Sequence, residues 1–186
     1  VKDVHEIVLL LAEALSGAGI PYAVGGAIAY GFYGAPRGTV DVDLNIFVSA
    51  GEARPALETL RKAGLSLDMD KAMDSLIRRG DARATFTGVR VDLFVNSIDL
   101  HESAMRRTVP VQLSGRQIRI LSAEDLALFK LIFFRPKDVE DVKRMVARIG
   151  KRFDVEYTRK HLVDMLGEDD ERVTTLDEIL SKFGNP

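Results

Sequence analysis

The chain has 186 residues, of which 46% are hydrophobic, a formal net charge of −2 and no cysteine. That size and apolar content suit one compact domain or a core with a helical extension, and the missing cysteine excludes disulfides and thiolate metal sites. No run reaches the roughly 18 apolar residues of a membrane span, and the opening Val1-Lys2-Asp3-Val4-His5-Glu6 lacks the basic region of a secretory signal, so the expected setting is the reducing cytoplasm with no membrane association.

Val4, Ile7, Val8, Leu11 and Leu15 recur with helical spacing, and Gly17 and Gly19 close that first helix. Pro21 to Val24 reads as a short strand. Gly25-Gly26 then opens a small-residue helix that runs through Phe32 and Tyr33 to Gly34, and Ala35-Pro36-Arg37-Gly38 is a loop. Val40 to Val48 alternates as a strand. Helices follow over Pro55–Ala63 and Lys71–Arg79. Ala82–Thr87 and Val89–Val95 pair around Gly88, His101–Arg107 is helical, and Val109–Leu113 pairs with Gln117–Leu121 around Ser114-Gly115. Ser122 caps a helix through Phe134, Pro136 starts another to Ile149, and two more occupy residues 155–166 and 171–182. The pattern predicts an α/β core over residues 1–121 and a helical C-terminal segment over 122–186 that packs on it.

The chemistry concentrates in Arg37-Gly38-Thr39-Val40-Asp41-Val42-Asp43-Leu44. The even positions Val40, Val42, Leu44, Ile46 and Val48 are apolar, so period-2 geometry puts them on a buried face and both carboxylates on the other. Acids suit strands poorly and like charges repel at this spacing. A divalent cation offsets that cost most simply, and hard oxygen donors on a rigid strand are what Mg²⁺ requires. In Val89-Arg90-Val91-Asp92-Leu93-Phe94-Val95 the same alternation turns Asp92 away from Val89, Val91, Leu93 and Val95. If the two strands are neighbours, Asp41, Asp43 and Asp92 share one patch, enough for two metal ions about 3.5–4 Å apart, the arrangement used in phosphoryl and nucleotidyl transfer.

Other polar positions are less specific. Gly25-Gly26 is either a phosphate cradle at a helix start or a tight, closely packed turn. Arg37 either pairs with a triphosphate or forms a structural ion pair, and Thr39 begins the strand beside the phosphates. Lys130 lies on the apolar run Leu126 to Phe134 and must reach a polar cleft or solvent. Asp138 and Asp141 read as a solvated helix face, or else as partners that position Lys130 or Arg135. His5, His101 and His161 are scattered and suggest no zinc site. Residues 101–163 hold 14 basic and 8 acidic side chains, a balance of +6, which is either a set of solvated helix faces or an attraction for triphosphates or RNA; residues 164–186 are acidic.

Taken together, Gly25-Gly26, Arg37 to Leu44, Val91-Asp92-Leu93-Phe94, Leu121 to Lys130 and Arg135 to Val142 resemble the nucleotidyltransferase superfamily related to DNA polymerase β, across roughly residues 20–149. The likeness is to its stand-alone bacterial and archaeal members, the AbiEii-like toxins and the aminoglycoside nucleotidyltransferases. The resemblance implies an α/β nucleotidyltransferase fold with a short mixed sheet, helices on one face, and a helical segment closing one side of a cleft. It implies transfer of a nucleoside monophosphate from an NTP, ATP among the candidates, to an acceptor hydroxyl with release of pyrophosphate. Asp41, Asp43 and Asp92 would hold two Mg²⁺ ions, with Asp92 also the general base. Gly25, Gly26, Arg37, Thr39 and Lys130 would bind the nucleotide, a Lys near this point contacting nucleotide in similar enzymes. The chain departs from the pattern at Gly26, where the superfamily most often has a serine that contacts phosphate. The implied acceptor is tRNA or another RNA in a toxin–antitoxin setting with a cognate toxin or antitoxin protein, a small hydroxylated molecule of the aminoglycoside type, or a protein hydroxyl on a partner toxin. A nucleotide-binding interaction module without turnover is the non-enzymatic alternative.

Overall fold

The computed structural model describes residues 3–36 and 38–183. They form two compact units, one of residues 3–28 and 38–121 and one of residues 29–36 and 122–183.

The first unit holds a six-stranded mixed sheet in the order β3-β4-β2-β1-β6-β5. Its strands are β1 (Tyr22–Val24), β2 (Asp41–Ser49), β3 (Asp81–Phe86), β4 (Val89–Asn96), β5 (Val109–Leu113) and β6 (Arg116–Ile120). Pairings β1–β2, β3–β4 and β5–β6 are antiparallel, and β2–β4 and β1–β6 are parallel. Both two-residue hairpin turns have positive φ at both central positions, Thr87 (46°) with Gly88 (89°) and Ser114 (48°) with Gly115 (79°). That backbone twist matches the twist of the strands, so each turn sets its hairpin register. Accordingly Asp92 pairs with Arg83, and Leu93 with Ala82.

Helix α1 (Val4–Gly17) begins at a capping box in which Asp3 accepts from the backbone and Glu6 reaches back to Asp3. It packs beside β1, β2 and β6 and buries Ile7, Leu11 and Leu15. Helices α3 (Arg54–Lys62), α4 (Met69–Arg79) and α5 (Leu100–Arg106) complete this unit, and α2 (Gly26–Tyr33) runs from it into the second. The face of the sheet carrying Val42, Leu44 and Ile46 of β2 and Val91, Leu93 and Val95 of β4 is at most 1% exposed. Two details depart from the alternation read in the sequence. β2 starts at Asp41, so Val40 precedes the ladder and is 82% exposed, and Val48 is only half-buried. On the opposite side, Asn45 and Phe47 are buried as well, so only the Asp41–Asp43 end of that face is open.

The second unit contains α6 (Ala123–Phe133), α7 (Pro136–Ile149), α8 (Val155–Leu166) and α9 (Glu171–Phe183). Ser122 caps α6 by accepting from Asp125 N at 3.1 Å, Pro136 occupies the first turn of α7, and Asp154 caps α8. α6 packs on α7 and α8, and α9 on α7 and α8.

Leu93 is fully buried between Leu44 and Ala82 on adjacent strands. Leu93→Ala is expected to remove roughly 2–5 kcal/mol of stability, read as a lowered urea midpoint with unchanged slope.

Candidate active site

The parallel pairing of β2 with β4 places Asp43 directly opposite Asp92 and Asp41 opposite Arg90. Side chains alternate faces along a strand, so Asp41, Asp43, Arg90 and Asp92 all rise on the same side of the sheet, joined by Arg83 from β3. Two carboxylates directly opposed on adjacent strands repel one another unless a cation intervenes.

In the structure arginines supply that charge. Arg90 reaches both strands. Its Nη2 donates to Asp41 Oδ2, and its Nε lies 3.0 Å from Asp92 Oδ2. Arg83 Nε donates to Asp92 Oδ1 at 3.2 Å. The two acids are the more sheltered partners, with Asp92 at 17% and Asp41 at 28% side-chain exposure against 46% for Arg90. Thr39, just before the strand, donates its hydroxyl to Asp41 Oδ1 at 2.7 Å and so orients that carboxylate.

The glycine pair abuts the same carboxylates. Gly25 N donates to Asp43 O at 2.9 Å, which prolongs the β1–β2 ladder by one bond. Gly26 begins α2 with φ of +55°, and a Cβ built there would lie 1.7 Å from Asp43 Oδ2. The absence of serine at this position therefore has a steric reason: in this backbone conformation any side chain collides with the acid it adjoins. Close packing is a property of the glycine pair whether or not its N–H groups also meet a phosphate.

A divalent ion is the group this arrangement invites. Three hard oxygen donors on adjacent rigid strands fit Mg²⁺ in chemistry and in register. As the side chains stand, however, no three His, Cys, Asp or Glu groups among the described residues are drawn close enough to hold a metal ion. Asp41 and Asp92 are turned onto the arginines instead.

The remaining expected nucleotide residues divide. Arg37 lies outside the described residues. Lys130 belongs to the second unit and is 5% exposed. Its Nζ is 2.7 Å from Asp141 Oδ2, 3.5 Å from Asp138 Oδ1 and 5.6 Å from the centre of the Tyr30 ring. Arg135 bonds Asp138 as well, at 2.5 Å. The solvated-face reading of Asp138 and Asp141 is thus incorrect. They are 1% and 5% exposed, and they position Lys130 and Arg135. A helix with two acids three apart looks the same in sequence whether water or a lysine faces it, and only the packing of α7 on α6 supplies the lysine.

Arg83 and Arg90 were not among the residues singled out from the sequence. Arg90 stands two before Asp92, which alternation alone puts on the acid's face, and the Thr87-Gly88 turn fixes Arg83 opposite Asp92. Both signals were present.

The six-stranded mixed sheet with its flanking helices is an α/β nucleotidyltransferase fold. The chain belongs to the family described as nucleotidyl transferase of unknown function (DUF2204), matching it over residues 4–177, and is a nucleotidyltransferase enzyme. Among solved structures it is similar to the antibiotic-resistance factor ANT(2'')-Ia in solution, with TM-score 0.54 and 15% identity over 96% of this chain and 91% of that one. A crystal structure of ANT(2'')-Ia in complex with adenylyl-2''-tobramycin gives the same score and identity over 96% of this chain and 98% of that one. The lincomycin-bound lincosamide antibiotic adenylyltransferase LnuA aligns with TM-score 0.53 and 12% identity over 75% of this chain and 94% of that one. At such identities the likeness is one of fold. No curated protein matches this chain.

Two substitutions test the geometry. Gly26→Ala must place a side chain in left-handed backbone beside Asp43 and is expected to cost roughly 1–3 kcal/mol, visible as a lowered melting temperature. Lys130→Ala leaves Asp138 and Asp141 buried without their shared ammonium and is expected to cost roughly 3–5 kcal/mol, measured by equilibrium urea unfolding.

Proposed function

We propose that this nucleotidyltransferase moves a nucleoside monophosphate from an NTP to an acceptor hydroxyl, using Asp41, Asp43 and Asp92. The observation that carries the reading is the register that sets Asp43 opposite Asp92 with Asp41 two residues away on the same face. The three carboxylates would hold Mg²⁺ in the manner of a two-ion site, which when bound supplies Lewis-acid stabilisation of phosphate charge.

The chain's own residues do the rest. Gly25 and Gly26 add no side chain of their own at the start of α2, which lets the Asp43 carboxylate lie against Gly26, and in this reading the helix-start N–H groups would meet a phosphate beside that acid. Thr39 holds Asp41 in orientation. Asp92, the most sheltered acid of the ion-paired pair, accepts the proton of the acceptor hydroxyl as its oxygen attacks the α-phosphorus. The bond from that phosphorus to the bridging oxygen breaks, and pyrophosphate leaves. Arg37, as a triphosphate partner, and Lys130, whose ammonium Asp138 and Asp141 set, are the further nucleotide-binding residues of this reading.

For the acceptor we favour RNA, with a tRNA end as the first candidate and a toxin-type role with a cognate protein partner as its setting. Support comes from the basic stretch, in which Lys137, Lys151 and Arg152 are exposed, although Arg144, Arg159 and Lys160 are ion-paired within their own unit. A second reading, a small hydroxylated antibiotic-like acceptor, is supported by the fold shared with ANT(2'')-Ia and LnuA. No helix among the described residues is long and apolar enough to cross a membrane.

Each of the four NTPs, labelled at the α-phosphate, can be offered with total tRNA and separately with a panel of aminoglycosides and lincosamides. Label is expected in tRNA, dependent on Mg²⁺, and transfer to the antibiotics alone would establish the second reading. Asp43→Asn is expected to lower transfer by more than about a hundredfold, the upper range for removing a mere supporting partner of a metal ligand. Wild-type turnover persisting in Asp43→Asn would overturn the assignment.

A further inference from the structure

The acid face carries its own cation. Arg90 lies on β4, opposite Asp41 of β2 in register and two residues before Asp92 on its own strand. One guanidinium engages both carboxylates, through Nη2 on Asp41 and through Nε on Asp92 at 3.0 Å. A planar fork with several N–H donors can bridge two acids in this way, and a lysine ammonium on a flexible stem cannot do so as a rigid clamp. Arg83 holds only the other oxygen of Asp92. Both arginine-bound acids are ones that a divalent ion would need, and their present orientation leaves no three-carboxylate cluster among the described residues.

We propose that Arg90 is a built-in counter-cation that competes with the divalent ion for Asp41 and Asp92, and so sets the affinity of the site for free metal. The proposal rests on the assignment of the three acids as the metal site. An ion entering alone must break two charge-assisted contacts of Arg90 before it gains the same oxygens, so its net affinity falls by the strength of those contacts. Arg90 in this sense governs metal loading, and Arg83, with a single contact to a single acid, is a weaker contributor.

Mn²⁺ binding to the nucleotide-free protein, followed by the loss of the free-ion electron paramagnetic resonance signal, tests this directly. Arg90→Gln removes the charge while keeping a polar side chain at a half-exposed position. It is expected to bind Mn²⁺ about tenfold more tightly than wild type, the combined effect of losing two contacts that solvent partly screens at this half-exposed position. Arg90→Lys, which keeps the charge but not the fork, is expected to tighten binding less, and Arg83→Gln least of the three. Circular dichroism and melting curves establish that each variant is folded, and Arg90→Lys serves if Arg90→Gln is not. If Mn²⁺ binds wild type and is lost in Asp43→Asn, yet binds Arg90→Gln and Arg90→Lys no more tightly than wild type, the counter-cation proposal is overturned while the metal-site assignment stands. If neither wild type nor the arginine variants bind Mn²⁺, the metal-site assignment itself fails and the proposal with it.

Discussion

Asp43 and Asp92 face one another across a parallel strand pair, and most of what is particular about this molecule follows from that opposition. Negative groups at neighbouring positions of a sheet are destabilising unless positive charge is brought between or beside them. The protein brings it with Arg83 and Arg90, which lie on the same face as the acids and bind Asp92 and Asp41. The other face of the same strands is a dry layer of Val, Leu and Ile, which holds the strands in register. Register is strongly specified when one face is buried, because a slip of one residue would turn the apolar set outward. The buried layer is thus what keeps the charged row aligned.

The glycine pair answers the same constraint from the side of the backbone. Asp43 lies so near the start of α2 that Gly26 has no room for a Cβ, and Gly25 continues the β1–β2 ladder with Asn45 and Leu121 close by. An acid, a helix start and the end of an interior strand therefore meet at one place. A serine hydroxyl is the feature that the superfamily pattern leads one to expect at Gly26, and its absence here is a consequence of packing as much as of chemistry.

A second charged cluster follows a different logic. Lys130, Arg135, Asp138 and Asp141 balance two positive against two negative groups, with both acids and the lysine buried. Burial of ionised groups is costly unless each is paired and hydrogen-bonded. The apolar run around Lys130 in α6 points to a polar cleft or solvent, and the structure instead buries the ammonium against two acids. The identity of its partners depends on how α7 lies against α6.

Local patterning determined much of this protein. The alternation in β2 and β4 sorted carboxylates from core residues, the Ser122 and Pro136 signals located the starts of α6 and α7, and the paired turn residues at Thr87-Gly88 and Ser114-Gly115 defined two hairpins. These features rest on steric and hydrogen-bonding preferences spanning a few residues, so they can be read along the chain. Tertiary structure decided the rest. It set β4 beside β2 across some forty intervening residues, left Val40 outside the ladder, gave Arg90 two acids from different strands, and turned Asp138 and Asp141 inward onto Lys130. What surrounds a charge depends on which distant segment packs against it, and that is settled by burial of the whole apolar core and not by the neighbours of the charge in sequence.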